Sequence, residues 1–244
     1  MMDLLGALPG AVAQGLVWGV MAIGVYITYK ILDIADLTVD GTICTGAAVC
    51  TMMMLSGQSP WLSILGAMLA GALAGVVTGL LHVFLGIPAI LAGILTQMTL
   101  WSVNLKILGK ANQAISARNT TVLLSQMNIP HALIVLAVVG VLTVAILYLF
   151  FGTELGCSIR ATGCNQSMSR AQGINTNFTK VTGLAISNAI VALSGALLCQ
   201  YQGYTDINMG RGAVVIGLAA VVIGEALVRR ISPNFAVRLT GVIA

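Results

Sequence analysis

Apolar runs of about 20 residues, the length a helix needs to span a bilayer, recur along the chain. They fall at roughly 8–32, 41–57, 60–86, 88–108, 129–151, 181–203 and 212–228, and an eighth run begins at 235–244, where the chain stops. No segment of soluble-domain size separates them. The pattern predicts an all-α fold: one polytopic transmembrane helical bundle over 1–244, with about seven to eight spans and the last of them cut short. Gly57-Gln58-Ser59-Pro60 and Gly86-Ile87-Pro88 predict tight turns. Residues 109–128, with Lys110, Arg118 and Asn119, predict a longer polar loop. Residues 152–180 form the longest polar segment, and in a chain this economical they are expected to be a docking site.

Composition agrees with lipid as the main solvent. Hydrophobic residues make up 58% of the chain and charged residues 7%, against about 25% charged in a soluble domain. The net charge of +4 comes from scattered Lys and Arg with no basic stripe, so nucleic acid is not an expected partner. Five cysteines without a CxxC pair and two distant histidines, His82 and His131, predict no metal site or disulfide framework. Asp3, not a basic stretch, precedes the first apolar run, which argues against a cleavable signal peptide. Small-residue spacings such as Gly71, Gly75 and Gly79 predict close helix packing.

The cations set an expected orientation. With 152–180 cytoplasmic, Lys30, Arg160, Arg170, Lys180, Arg229 and Arg230 lie inside by parity, and Lys106, Lys110, Arg118 and Arg211 lie outside. The N-terminus is then outside, with 33–40 taken as a true loop.

Three segments carry candidate chemistry. Asp33, Asp36 and Asp40 stand at i, i+3 and i+7, which on a helix would share one face. They either line a pathway or sit at the interface, with Asp40 or Thr38 capping the next helix. In the 152–180 segment, Asn165 is placed to cap a short helix from Gln166 to Gln172 that Gly173 would end. That helix would expose Met168 and Ala171 beside Arg160 and Arg170. The third segment, 204–212, with Asn208 and a Gly210-Arg211-Gly212 turn, precedes an apolar run carrying Glu225. Glu225 either pairs with Arg229 at i+4 or serves as a gate or subunit contact. There is no GxxxxGK[ST] loop, no HExxH, no Arg-rich voltage-sensor helix and no TVGYG filter. The chain therefore has no such means of holding ATP itself and no filter of that type.

These residues resemble a family. LGCSIRATGCNQSMSRAQGINTNFTK is similar to the cytoplasmic coupling loop of ATP-binding-cassette permeases of the branched-chain amino acid and ribose type. The matching elements are Gly156, Arg160-Ala161, the 165–172 helix and Gly173-Ile174-Asn175. The stretches 19–24 with 34–41, and Gly210-x-Gly212 with 216–225, resemble the family's first and late conserved spans, in the same order. The wording DLTVDG and IGLAAVVIGEA looks closest to permeases of tryptophan or tyrosine uptake.

The resemblance implies an inner-membrane importer subunit that works by alternating access and is not itself an enzyme. This chain would bind no cofactor, because ATP and Mg would sit on partner ATPase subunits. Those subunits would grip Arg160, Asn165, Met168, Arg170, Ala171 and Gly173. An extracytoplasmic binding protein would deliver a small solute, an aromatic amino acid first, and the permease would form a homodimer or pseudo-dimer. Asp36, Asp40, Asn208 and Glu225 are the expected pathway or gate residues. Gln166 and Ser167 stand where the family often has acidic residues. Branched-chain amino acids, sugars or nucleosides are the other substrates open to this permease class. An ion-coupled transporter is the alternative; it would place coupling carboxylates at mid-membrane within an inverted repeat, whereas these fall at predicted span ends and no repeat is clear. A structural membrane subunit with no pathway would leave the 152–180 segment unexplained.

Overall fold

The computed structural model describes residues 2–115, 123–124, 129–228 and 235–243. The predicted Arg118, Asn119, Arg229 and Arg230 lie outside the described residues. Among those described, ten α-helices account for nearly all regular structure. Five are long and apolar enough to cross a membrane: α1 (Met2–Tyr26, extended by a π-helical turn Ile27–Ile31), α3 (Pro60–Val83), α4 (Ala89–Leu108), α5 (Ile129–Phe151) and α8 (Thr176–Gln202). Two apolar helices are shorter, α2 (Val39–Leu55) and α9 (Ala213–Val228). The bundle is completed by α6 (Glu154–Cys164), α7 (Gln166–Ala171) and α10 (Phe235–Ile243). A two-stranded antiparallel sheet, β1 (Asn112–Ala114) with β2 (Tyr204–Asp206), joins the C-terminal ends of α4 and α8.

Helix α8 is the axle. It packs most extensively against α3, then α2 and α1, and most of its length from Ser187 to Tyr201 is buried. Small residues on its neighbours permit this. A Cβ on Gly71 or Gly75 of α3 would overlap the Asn188 or Leu184 carbonyl oxygen, and one on Gly46 of α2 would meet the Ala192 backbone. In lipid, such backbone proximity supplies the van der Waals contact that a hydrophobic effect cannot. Hydroxyls join the same interface: Ser187 Oγ donates to the Gly24 carbonyl and Ser194 Oγ to the Val17 carbonyl, each at 2.8 Å.

Two elements depart from expectation. The predicted 152–180 loop contains an extra helix, α6, whose Gly156, Ile159 and Thr162 recur at helical spacing and are buried. Thr153 caps it, accepting from Gly156 N–H. Helix α8 also starts earlier than the hydropathy pattern indicates. Asn175 Oδ1 accepts from Asn177 and Phe178 N–H, at 3.2 Å each, so capping overrides the polarity of the first turns and takes Lys180 into the helix, buried.

Candidate functional site

The chain between α1 and α2 is neither a helix nor a surface loop. Asp33 turns it with a φ of 55°, a conformation aspartate tolerates better than most side chains. Ile34 N–H reaches back to the Thr28 carbonyl at 2.9 Å. The backbone then enters the bundle as an irregular stretch that turns at Leu37, which lies against Gly93 of α4. The three aspartates therefore do not share a face. Asp33 is exposed, Asp36 is buried, and Asp40 faces another helix. Such non-helical backbone at depth requires protein partners for its polar groups.

Asp36 has them. Its Oδ1 accepts the Thr38 N–H at 2.9 Å and its Oδ2 accepts from Asn188 Nδ2 at 2.7 Å. Asn188 Oδ1 in turn accepts from Thr42 Oγ1 at 2.7 Å, and Thr38 and Thr78 share a hydroxyl hydrogen bond of 2.8 Å. Asn188 lies midway along α8, so Asp36 is far from the span end expected for it. A single hydrogen-bonded cluster thus ties the break to α2, α3 and α8.

Asp40 caps a helix, but not its own. Its Oδ1 accepts Val214 N–H at 2.8 Å and its Oδ2 accepts Gly212 N–H at 3.1 Å, so it satisfies the N-terminus of α9. Thr38, at the N-cap position of α2, makes no side-chain cap bond because its hydroxyl is engaged with Thr78. A Cβ on Gly210 would overlap the Asp40 carbonyl, so the Gly210-Arg211-Gly212 turn lies directly on the start of α2. Asn208 is exposed beside this turn, its N–H held by Asp206 Oδ1 at 2.7 Å. Glu225, at the other end of α9, pairs with Lys30 at 2.9 Å. The predicted partner Arg229 is outside the described residues.

Between α2, α4 and the 207–211 turn lies a cavity of about 390 Å³. Asp40, Arg211, Trp101, Met98 and Asn104 contribute to its walls. Asn104 Nδ2 donates to the Gly41 carbonyl at 3.3 Å, and its Oδ1 is buried with no partner among the described residues.

The 152–180 segment is compact. Asn165 caps α7 through Met168 N–H at 3.0 Å, and Gly173, with a φ of 81°, ends the turn as expected. Met168, Arg170 and Ala171 are exposed. Arg170 Nε donates to Thr176 Oγ1 at 2.9 Å, and Thr162 and Thr179 share a hydroxyl bond, fastening α7 and α6 to α8. Gly163 lies on the Ile31 carbonyl, where any Cβ would collide, so α6 also abuts the end of α1.

Residues 8–244 match the family described as "Branched-chain amino acid transport system / permease component". The chain belongs to this permease family. A tyrosine transport system permease protein of Clostridioides difficile (strain R20291) is 40% identical over 217 residues, covering 89% of this chain and 72% of that protein. The uncharacterized protein RP368 of Rickettsia prowazekii (strain Madrid E) is 34% identical, over 92% of this chain and 79% of its own length. An autoinducer 2 import system permease protein LsrC of Escherichia coli (strain K12 / DH10B) is 28% identical, over 78% and 55%. No solved structure matches. The protein is thus a transport permease, multi-pass in the bacterial inner membrane.

Two residues of the permease were not singled out by sequence, Asn188 and Asn104. Each is an amide inside an apolar span, and that placement is the signal that could have found them, because such side chains are costly in lipid without a partner or a function.

Proposed function

We propose that this permease is the translocating subunit of an ATP-driven importer, in which partner ATPase subunits grip α7. The observation that carries this reading is the α6–α7 unit. A capped, exposed short helix is fastened by side-chain bonds to α8 and by backbone contact to the end of α1. Force applied at Met168, Arg170 and Ala171 therefore reaches both α8 and the α1–α2 break. Asn165 and Gly173 fix the ends of the helix that is gripped, and Arg160 flanks it on α6. ATP and its Mg are bound and hydrolysed on the partners, and ATP closure rocks the helices between outward and inward access. The α7 side is then cytoplasmic, an extracytoplasmic binding protein delivers solute at the sheet side, and two permeases pair around the pathway. The tyrosine permease relative favours an amino acid, aromatic first. Asp40 holds the start of α9, Glu225 pairs with Lys30 at the far end of α9, and Asp36 bonds Asn188 midway along α8.

The test is purification of the permease expressed with its neighbouring genes. A nucleotide-binding subunit co-purifies, and Arg170→Glu or Met168→Ala leaves ATP hydrolysis running while uptake falls about tenfold or more, as loss of one anchoring contact implies. Transport by the permease alone, collapsed by an ionophore, would instead establish ion coupling. The buried Asp36 is the observation favouring that second reading, but its oxygens are already engaged by Thr38 and Asn188.

A further inference from the structure

The cavity beside α4 carries an unmet requirement. Asn104 is wholly buried; Nδ2 donates to the Gly41 carbonyl, and Oδ1 has no hydrogen-bond partner among the described residues, with the Cys44 thiol lying beside the amide. A buried acceptor without a donor is destabilising, and native proteins keep few of them. The remaining walls offer complementary chemistry. Asp40 holds a carboxylate whose oxygens already cap α9, Arg211 is an exposed cation with no carboxylate in ion-pair range among the described residues, and Trp101 and Met98 supply half-open apolar surface. The volume of about 390 Å³ lies within the range of roughly 300–1,000 Å³ typical of small-ligand sites.

We propose that this cavity is a solute site for a zwitterionic α-amino acid with a large apolar or aromatic side chain. The ammonium lies between Asn104 Oδ1 and Asp40, the carboxylate on Arg211, and the side chain against Trp101 and Met98. Asn104 is closed off from solvent in this conformation, so this site requires α4 to shift against α2 for its amide to be reached. The proposal deepens the amino acid importer reading and rests on it.

The experiment uses the permease in lipid nanodiscs with radiolabelled L-tyrosine as probe, competed by tyramine, which lacks the carboxylate, and by 3-(4-hydroxyphenyl)propionate, which lacks the ammonium. Arg211→Met weakens L-tyrosine about tenfold or more, the scale of one lost charge-assisted bond, and leaves tyramine unchanged. Asn104→Leu weakens L-tyrosine and tyramine and spares the propionate. Met98→Trp fills the exposed wall and weakens all three without touching the Asn104–Gly41 bond. The site is overturned if the wild type binds none of the probes, or if the Arg211 and Asn104 variants bind L-tyrosine as the wild type does. It is also overturned if every variant loses all three probes together with thermal stability. ATP-dependent tyrosine uptake by cells expressing the whole transporter, measured in parallel, separates the readings: uptake with an indifferent cavity sinks only the site, and absence of uptake sinks the tyrosine assignment.

Discussion

The two sides of α2 differ in how completely they are closed. Toward α8 and α3 it meets glycine-permitted backbone contact and a closed cluster in which Asp36, Asn188, Thr42, Thr38 and Thr78 satisfy one another. Toward α4 it also makes glycine-permitted contact, Gly41 against Gln97 and Leu100, but it borders a cavity and an amide oxygen with no partner among the described residues. Interiors packed like the first side resist change because every displaced atom meets another. Surfaces like the second can rearrange at small cost, and binding sites are drawn from such regions. The contrast separates a scaffold that transmits motion from a face that can accept something.

The sharpest way to break this contrast is to force side-chain volume into the scaffold. Gly75→Val places carbon where the Leu184 carbonyl oxygen lies, and the expected loss exceeds about 3 kcal/mol. It is read as failure to recover monodisperse protein or a large drop in Tm in detergent. A Gly75→Val permease as stable as the wild type would show that α3 and α8 can separate freely.

Next in size is the polar cluster. Asp36→Ala leaves one Asn188 Nδ2 hydrogen and the Thr38 N–H without an acceptor, the other Nδ2 hydrogen keeping the Leu184 carbonyl, at about 2–4 kcal/mol, whereas Asn188→Ala together with Asp36→Ala costs less than the sum of the two single changes. Thermal unfolding of the three variants measures this. Strict additivity would mean that Asp36 and Asn188 do not act as one unit.

The long helices from α3 to α5 were legible in hydropathy, because lipid demands long apolar runs, whereas α6 and the early start of α8 were not. The α7 motif was legible too, since Asn165 and Gly173 act through local backbone rules. What hydropathy hid were features decided by partners distant in sequence. Asp36 looked like part of a helical face because its spacing fits one, but Asn188 and Thr78 draw the segment out of helical form. Asp40 looked like a cap for α2 and instead caps α9, a partner some 170 positions away. Glu225 looked paired with its own helix; Lys30, at the end of α1, stands 2.9 Å from it, and Arg229 lies outside the described residues. The cavity left no trace in the sequence, being an absence of atoms between three elements.

The Lys30–Glu225 pair gives the smallest expected effect and the finest test of where the scaffold ends. Lys30 is 45% exposed and Glu225 20%, so water and salt screen the attraction, and a double-mutant cycle with Lys30→Met and Glu225→Gln should return a coupling of about 0.2–1 kcal/mol. That coupling should shrink as ionic strength rises, because the Debye length falls from about 10 Å at 0.1 M to about 3 Å at 1 M. The pair joins the end of α1, against which Gly163 of α6 also lies, to the end of α9 whose start Asp40 holds. If α9 moves with α1 during transport, both single changes lower the uptake rate by more than their stability cost predicts, and the double change restores none of it. A salt-insensitive coupling above about 3 kcal/mol would instead place the pair inside the rigid side of the molecule, and α9 with it.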